Sequence, residues 1–259
     1  MSHTLYTILF PLSLFLGMLF FMETGRRIGI RRMAQDPDGA KTGVGAMEAA
    51  IFGLMGLLVA FTFSGAASRF DTRRQLIVEE TNAIGTAYLR LDLLPSDAQA
   101  RLRAYFREYV DSRLESSRKM STDFPGSLEA YSRSMKLQAE IWNQAVVACR
   151  DQGLQSATML LLPALNQMID ITTTRLVAQK THPPAGIFLV LSVLALFSAM
   201  FAGYGTAGSK ARSWIHMIGF GAMMAVTVYL ILDIEYPRHG FIQVSSFDQI
   251  LEDLQKSMK

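Results

Sequence analysis

A single cysteine, Cys149, occurs in the 259 residues, which excludes an intrachain disulfide and any multi-cysteine zinc site. Charge is also scarce: Asp, Glu, Lys and Arg make up 18% of the chain, against 50% hydrophobic residues. With a mean hydropathy of +0.23, that balance points to an integral membrane protein. Proline is missing from residue 38 to residue 94, so nothing in that long stretch obliges a helix to stop. The four histidines, His3, His182, His216 and His239, never stand at metal-ligand spacing, and neither a G-x-S-x-G motif nor a paired-carboxylate arrangement occurs. No catalytic residue, metal ligand or cofactor site is therefore expected. Alternating strand patterns, internal repeats and low-complexity tracts are lacking as well, and the expected fold class is all-α.

What is present is four long apolar runs. They cover Leu5 to Met22, Ala46 to Ala67, Ile187 to Gly205 and Trp214 to Leu232. Each is long enough to cross a hydrocarbon core of about 30 Å at about 1.5 Å per residue. The first run has no Lys or Arg before it and no small-residue cleavage site after it, and reads as a retained anchor. The expected organisation is transmembrane helices 1 and 2 in residues 1–69, a helical extramembrane domain in 70–184, transmembrane helices 3 and 4 in 185–234, and a short C-terminal tail in 235–259. The lipid bilayer is thus the first partner.

The net charge of +3 does not imply nucleic acid, because the basic residues gather beside the apolar runs, as in RRIGIRR (Arg26 to Arg32) and SKAR (Ser209 to Arg212). The two short loops hold about seven Lys and Arg, while the other side offers Arg69, Arg73, Arg74, Arg175, Lys180 and Arg238 near membrane ends, so the positive-inside rule barely chooses and only on the short loops alone would place the central region outside.

Beyond the second span the helical period continues through Leu76, Glu80, Ala83, Ala87, Arg90 and Leu94 on one face and stops at Pro95. An unbroken helix from Glu48 to Leu94 would be about 70 Å long, with roughly half outside the bilayer. Ser96 and Asp97 are candidate N-caps for a second helix with Leu102, Tyr105, Phe106, Tyr109 and Leu114 as its apolar stripe. DFPGS (Asp123 to Ser127) resets the chain, a third helix runs from about Ser127 to Cys149, and a fourth holds Pro163, which should kink it or mark its first turn. Asn166 and Asp170, one turn apart there, are either a polar contact in the domain core or an ion-facing pair.

The second span carries the most specific pattern. Ala49, Gly53, Gly56, Ala60 and Ala67 fall within about 60° of arc at about 100° per residue, with Phe63 in their midst. Such a small-residue stripe serves ordinary helix packing inside one subunit, or it lines a symmetric axis that a ring of Phe63 narrows. Glu48 begins this span, and Asp233 and Glu235 end the fourth. Boundary carboxylates are either solvated ends or, in an oligomer, a charged ring, with Asp233 and Glu235 pairing with Arg238 or a basic neighbour. GYGTAG (Gly203 to Gly208) matches a dinucleotide fingerprint and contains the GYG of a potassium filter. It closes a membrane span, however, without the strand, pore helix or re-entrant loop those sites need.

Three blocks together resemble the bestrophin-like membrane proteins of bacteria: LLVAFTFSGAASRFDTRR (Leu57 to Arg74), NAIGTAYLRL (Asn82 to Leu91) and DIEYPRHGFIQV (Asp233 to Val244). More distantly the chain resembles the bestrophin channels, in span order, in the position of its central insert, and in Leu57, Leu58, Phe61, Arg69, Phe70 and Arg73. That resemblance implies a pentameric ion channel with four spans per subunit, a cytoplasmic helical region, and a pore neck on the second span formed by Phe61 or Phe63. Phe63 is preferred because it shares the small-residue face. It also implies that the long second helix helps wall a vestibule. Of the acidic calcium clasp of animal bestrophins only Asp233 and Glu235 have counterparts, and the proline of their neck is absent.

The expectation is a multi-pass protein of the bacterial inner membrane acting as a homo-oligomeric, pentameric ion channel, with its central domain in the cytoplasm. Gly53, Gly56, Ala60, Phe63, Ser64, Ala67 and Ser68 would line or constrict the pore, and Glu48, Asp233 and Glu235 would set charge at its ends or at the membrane boundary. Its partners would be lipid, further copies of itself and the permeating ion. The alternative is a membrane-anchored scaffold or signalling protein whose central helices bind a partner.

Overall fold

A computed structural model of the chain describes residues 3–36, 44–151, 155–209, 213–237, 240–242 and 244–258. Eight α-helices account for nearly all of them: α1 (His3–Gln35), α2 (Val44–Leu89), α3 (Ser96–Lys119), α4 (Phe124–Asp151), α5 (Gln155–Lys180), α6 (Ala185–Gly205), α7 (Trp214–Glu235) and α8 (Ser245–Ser257). No strand occurs among the described residues. Four of the helical segments are long and apolar enough to cross a membrane.

The chain divides into two compact units, one of residues 1–68 and 182–241, the other of 69–181 and 242–259. In the first, α1 buries Thr7, Pro11, Leu14, Met18, Met22, Gly25 and Gly29 along one stripe, at the three- and four-residue steps of a helix face. That stripe packs against α6, and glycine sets the distance. A β-carbon at Gly25 would stand 1.9 Å from the Met200 carbonyl oxygen, and one at Gly203 would stand 1.9 Å from that of Met22. The two backbones therefore touch reciprocally, and any larger residue would force them apart. Gly29 repeats the device one turn on, against Ala207 and Tyr204. This accounts for the first glycine of GYGTAG without any ligand. Edge-on rings complete the core, Phe10 with Phe188 and Phe52 with Phe220.

The second unit is a bundle of the later part of α2 with α3, α4, α5 and α8. Its apolar core includes Ile84, Leu91, Leu102, Phe106, Ile141, Leu161, Leu165 and Met168, all essentially inaccessible. Burying each such side chain contributes about 1.5–3 kcal/mol.

Local differences from the sequence reading have simple causes. α2 ends at Leu89, and the expected continuation to Leu94 is a 3₁₀ turn, Arg90–Leu93, closed by the Leu94 N–H on the Leu91 carbonyl. Pro95 itself takes the N-cap place of α3, so Ser96 is already helical. α4 starts at Phe124, earlier than expected, because the Asp123 carboxylate accepts the Gly126 N–H at 3.1 Å and serves as its cap. Pro163 lies inside α5, past its first turn. The stretch expected as a tail holds α8, whose Leu251 and Met258 join the core of the second unit.

Candidate functional site

The face of α2 singled out by its small residues is uncovered. Ala49, Gly53, Gly56, Ala60, Phe63, Ser64 and Ser68 are exposed and Ala67 is half-buried, whereas Met55, Thr62 and Ala66 are buried, Met55 in the apolar core of the first unit. A β-carbon added at Gly53 or Gly56 would meet no atom within 4 Å. Among the described residues, packing within one chain thus leaves Gly53 and Gly56 of the stripe open. Phe63 is 42% exposed and Phe61, further round the helix, 67%. The same helix continues into the second unit with Asp71, Gln75, Glu79, Asn82 and Thr86 exposed.

Glu48 does not join that face. Five residues before Gly53, it lies roughly 140° round the helix at about 100° per residue, and it points to Gly205 at the end of α6, both within the first unit. Asp233 and Glu235 are each 1% exposed. The Phe241 N–H donates to Asp233 Oδ1 at 2.8 Å, and Gly240 lies so close that a β-carbon there would fall 1.9 Å from the same oxygen. Glu235 Oε1 lies 3.0 Å from His182 Nδ1, and the His182 ring stacks near Tyr236 at 4.8 Å. These two carboxylates pin the end of α7 to the segments on either side of the spans. Arg238, their expected partner, lies outside the described residues, as do Lys210 and Arg212. Arg26, grouped with the headgroup charges, is instead buried and donates to the Ser209 carbonyl at 3.3 Å.

The densest polar cluster belongs to the second unit. Glu80, fully buried on α2, accepts from Arg113 Nε at 2.6 Å and from Arg175. Arg175 also faces Asp248 of α8 at 3.6 Å, and Asp248 accepts from the Ser117 hydroxyl at 2.6 Å. The Arg113 guanidinium lies over the Tyr131 ring at 5.5 Å. Beside it Gln138 Nε2 donates to Tyr109 Oη at 3.0 Å and Thr172 Oγ1 at 3.2 Å. Two cations and two carboxylates balance, and all five helices of the unit contribute. Burial pushes the Glu80 carboxyl up, but the charges and hydrogen bonds of Arg113 and Arg175 outweigh it and hold the pKa at about 2. Burial also pushes the Tyr109 phenol up, out of the range in which it ionises.

The sequence reading did not single out this network. One signal was visible: Glu80 occupies the apolar face of its helix between Leu76 and Ala83, where a carboxylate needs buried partners. Asn166 and Asp170 are both exposed and form no contact in the core. Among the described residues no three His, Cys, Asp or Glu side chains converge as a metal site would require. The arrangement offers structural ion pairs and an open helix face, and the Ser213 hydroxyl meets the His216 ring nitrogen as a local contact in the first turn of α7.

An all-helical membrane protein with four candidate spans, a two-unit chain and an uncovered second span is the class that this geometry defines. A bestrophin-like domain matches residues 12–247, and the chain belongs to the bestrophin-like family. Similar folds include crystal structures of a bacterial bestrophin homolog from Klebsiella pneumoniae. A tryptophan-to-alanine variant superposes with a TM-score of 0.71 at 15% identity, covering 95% of this chain and 96% of that one. A leucine-to-threonine variant gives 0.69 at 15% identity, covering 94% and 98%. Another structure of the homolog gives 0.67 at 15% identity, covering 93% and 97%. No curated protein sequence matches the chain significantly.

Proposed function

We propose that the protein is a homo-oligomeric ion channel, assembled as a pentamer with α2 of every subunit facing a central axis. The observation that carries this reading is the uncovered small-residue face of α2, where a β-carbon on Gly53 or Gly56 would meet nothing among the described residues. In a bilayer small residues let such a face pack closely on another helix or border a water-filled path. Gly53, Gly56, Ala60 and Ala67 leave the bore wide, Phe63 narrows it with a hydrophobic ring, and Ser64 and Ser68 offer hydroxyls at its mouth. Membership of the bestrophin-like family supports a channel rather than an enzyme. The second unit then stands outside the bilayer, on the cytoplasmic side of a bacterial inner membrane. Glu48 sets charge near the opposite end of the span, while Asp233 and Glu235 fix the membrane boundary of α7.

A scaffold whose spans only anchor it would have its stripe covered by its own helices, and the exposure of the stripe argues against that rival. The test is unitary conductance of purified protein in planar bilayers. Phe63→Ala widens the constriction and raises the current, whereas an unchanged current refutes Phe63 as the gate and complete silence of the wild type refutes conduction.

A further inference from the structure

The outer face of α1 does not stop where its apolar run stops. Leu9, Leu16, Phe20, Arg27 and Arg31 fall within about 60° of arc at about 100° per residue, and all five are exposed. One stripe thus passes from apolar to cationic without leaving the helix. The opposite stripe is the buried one, packed on α6.

That packing fixes the level at which the change occurs. Gly25 abuts Met200, and Gly29 abuts Tyr204 and Ala207, where the apolar run of α6 closes at Gly205. α7 then opens on Trp214, which is 53% exposed, as suits an aromatic ring at a membrane–water boundary. Arg27 stands five residues beyond Met22, about 8 Å by the helix rise, which is the depth of the headgroup layer outside the hydrocarbon core. Arg31 is one turn further out, but helix side chains lean towards the N-terminus, here back towards the bilayer. Arg27 shows that lean, since its Nε donates to Glu23, one turn nearer the span, at 2.7 Å. The exposed Ile28 and Ile30 flank the two arginines, and lipid covers such side chains better than water does.

We infer that this end of α1 is a binding site for an anionic phospholipid, its phosphate held by the guanidinium groups of Arg27 and Arg31 and its acyl chains lying along Leu16 and Phe20. Between residues 23 and 36 four arginines outnumber two carboxylates, and residues 37–43 add one Asp and one Lys, leaving the excess unchanged. SKAR (Ser209 to Arg212) brings two further cations to the same side of the spans. Juxtamembrane clusters of this sign attract anionic lipid, and guanidinium pairs well with phosphate. Glu23 takes part of the Arg27 charge, which leaves Arg31 the stronger donor. The site is built within the first unit and stands whether or not α2 lines a pore.

The experiment is native mass spectrometry of the full-length protein, equilibrated in detergent with phosphatidylglycerol and phosphatidylcholine of identical acyl chains. The two lipids share a phosphodiester and differ in net charge. The wild type retains phosphatidylglycerol in preference. One basic residue near the lipid surface corresponds to about fivefold in affinity, so Arg27→Gln combined with Arg31→Gln lowers the preference by at least about fivefold. Arg27→Lys combined with Arg31→Lys keeps most of it, and Arg107→Gln, at an exposed arginine of α3, leaves it unchanged. Melting temperatures in phosphatidylcholine alone report whether each variant folds, and a rise with phosphatidylglycerol that the glutamine pair lacks is the second readout. The inference is overturned if the glutamine pair keeps the preference, if Arg107→Gln removes as much of it, or if the wild type does not distinguish the two lipids. It is overturned equally if inorganic phosphate alone raises the melting temperature as far as phosphatidylglycerol does, which would mean an adventitious ion only.

Discussion

Glu80 is the residue on which the second unit is balanced. Removing one partner of a buried pair leaves uncompensated charge and costs about 3–5 kcal/mol, far more than the net worth of the pair. Glu80→Gln strands Arg113 and Arg175 with Asp248 as the one carboxylate the network retains. The expected outcome is a loss of about 3–5 kcal/mol in chemical denaturation. The pH dependence follows with a definite sign. The folded pKa, at about 2, lies below the ordinary 4.5, so the charged form is the one stabilised. Its contribution is complete above pH 4.5 and disappears as pH falls through about 2. Melting curves between those limits will show the wild type losing stability more steeply than Glu80→Gln, and parallel curves would show that the carboxylate is not held as described. At this scale the sequence was half legible. Glu80 sits on the apolar face for anyone to see, but its partners Arg113 and Arg175 come from 33 and 95 residues away. Helical period alone cannot bring them together.

Among the elements, α1 and α6 are joined more intimately than their apolar composition suggests. Gly203→Ala would drive a methyl group into the Met22 carbonyl, where backbone rather than a flexible side chain must yield. Overpacking of this kind costs about 1–3 kcal/mol, and occasionally more. A lowered melting temperature in detergent is expected for Gly203→Ala, against little change for Gly53→Ala, whose β-carbon meets nothing. Equal effects at the two positions would contradict the seam. The four apolar runs were readable because a bilayer demands length and hydrophobicity in a continuous stretch. The seam was not, because Gly203 looks like part of a ligand motif, and close approach depends on which helices are neighbours. α8 escaped for another reason: it is short, mostly polar, and its apolar positions acquire meaning only against the bundle that receives them.

For the whole molecule, the uncovered stripe makes the number of copies the decisive quantity. Native mass spectrometry of the solubilised protein is expected to give five times the chain mass of 28.8 kDa, and class averages by electron microscopy a ring with α2 innermost. A monomer, or a dimer with no axial path, would remove the basis for a pore. The family could be read from LLVAFTFSGAASRFDTRR and its companion blocks. Copy number could not, since it is decided by surfaces that meet only between chains.

The contact of Gly25 and Gly203 with the opposite carbonyls also has a mechanical meaning. Two helices meshed through side chains can ratchet past one another by rotamer changes, whereas two meshed backbone to backbone must first be lifted apart. α1 and α6 therefore behave as a single beam. Any rearrangement of the first unit that leaves this seam intact moves α1 and α6 together.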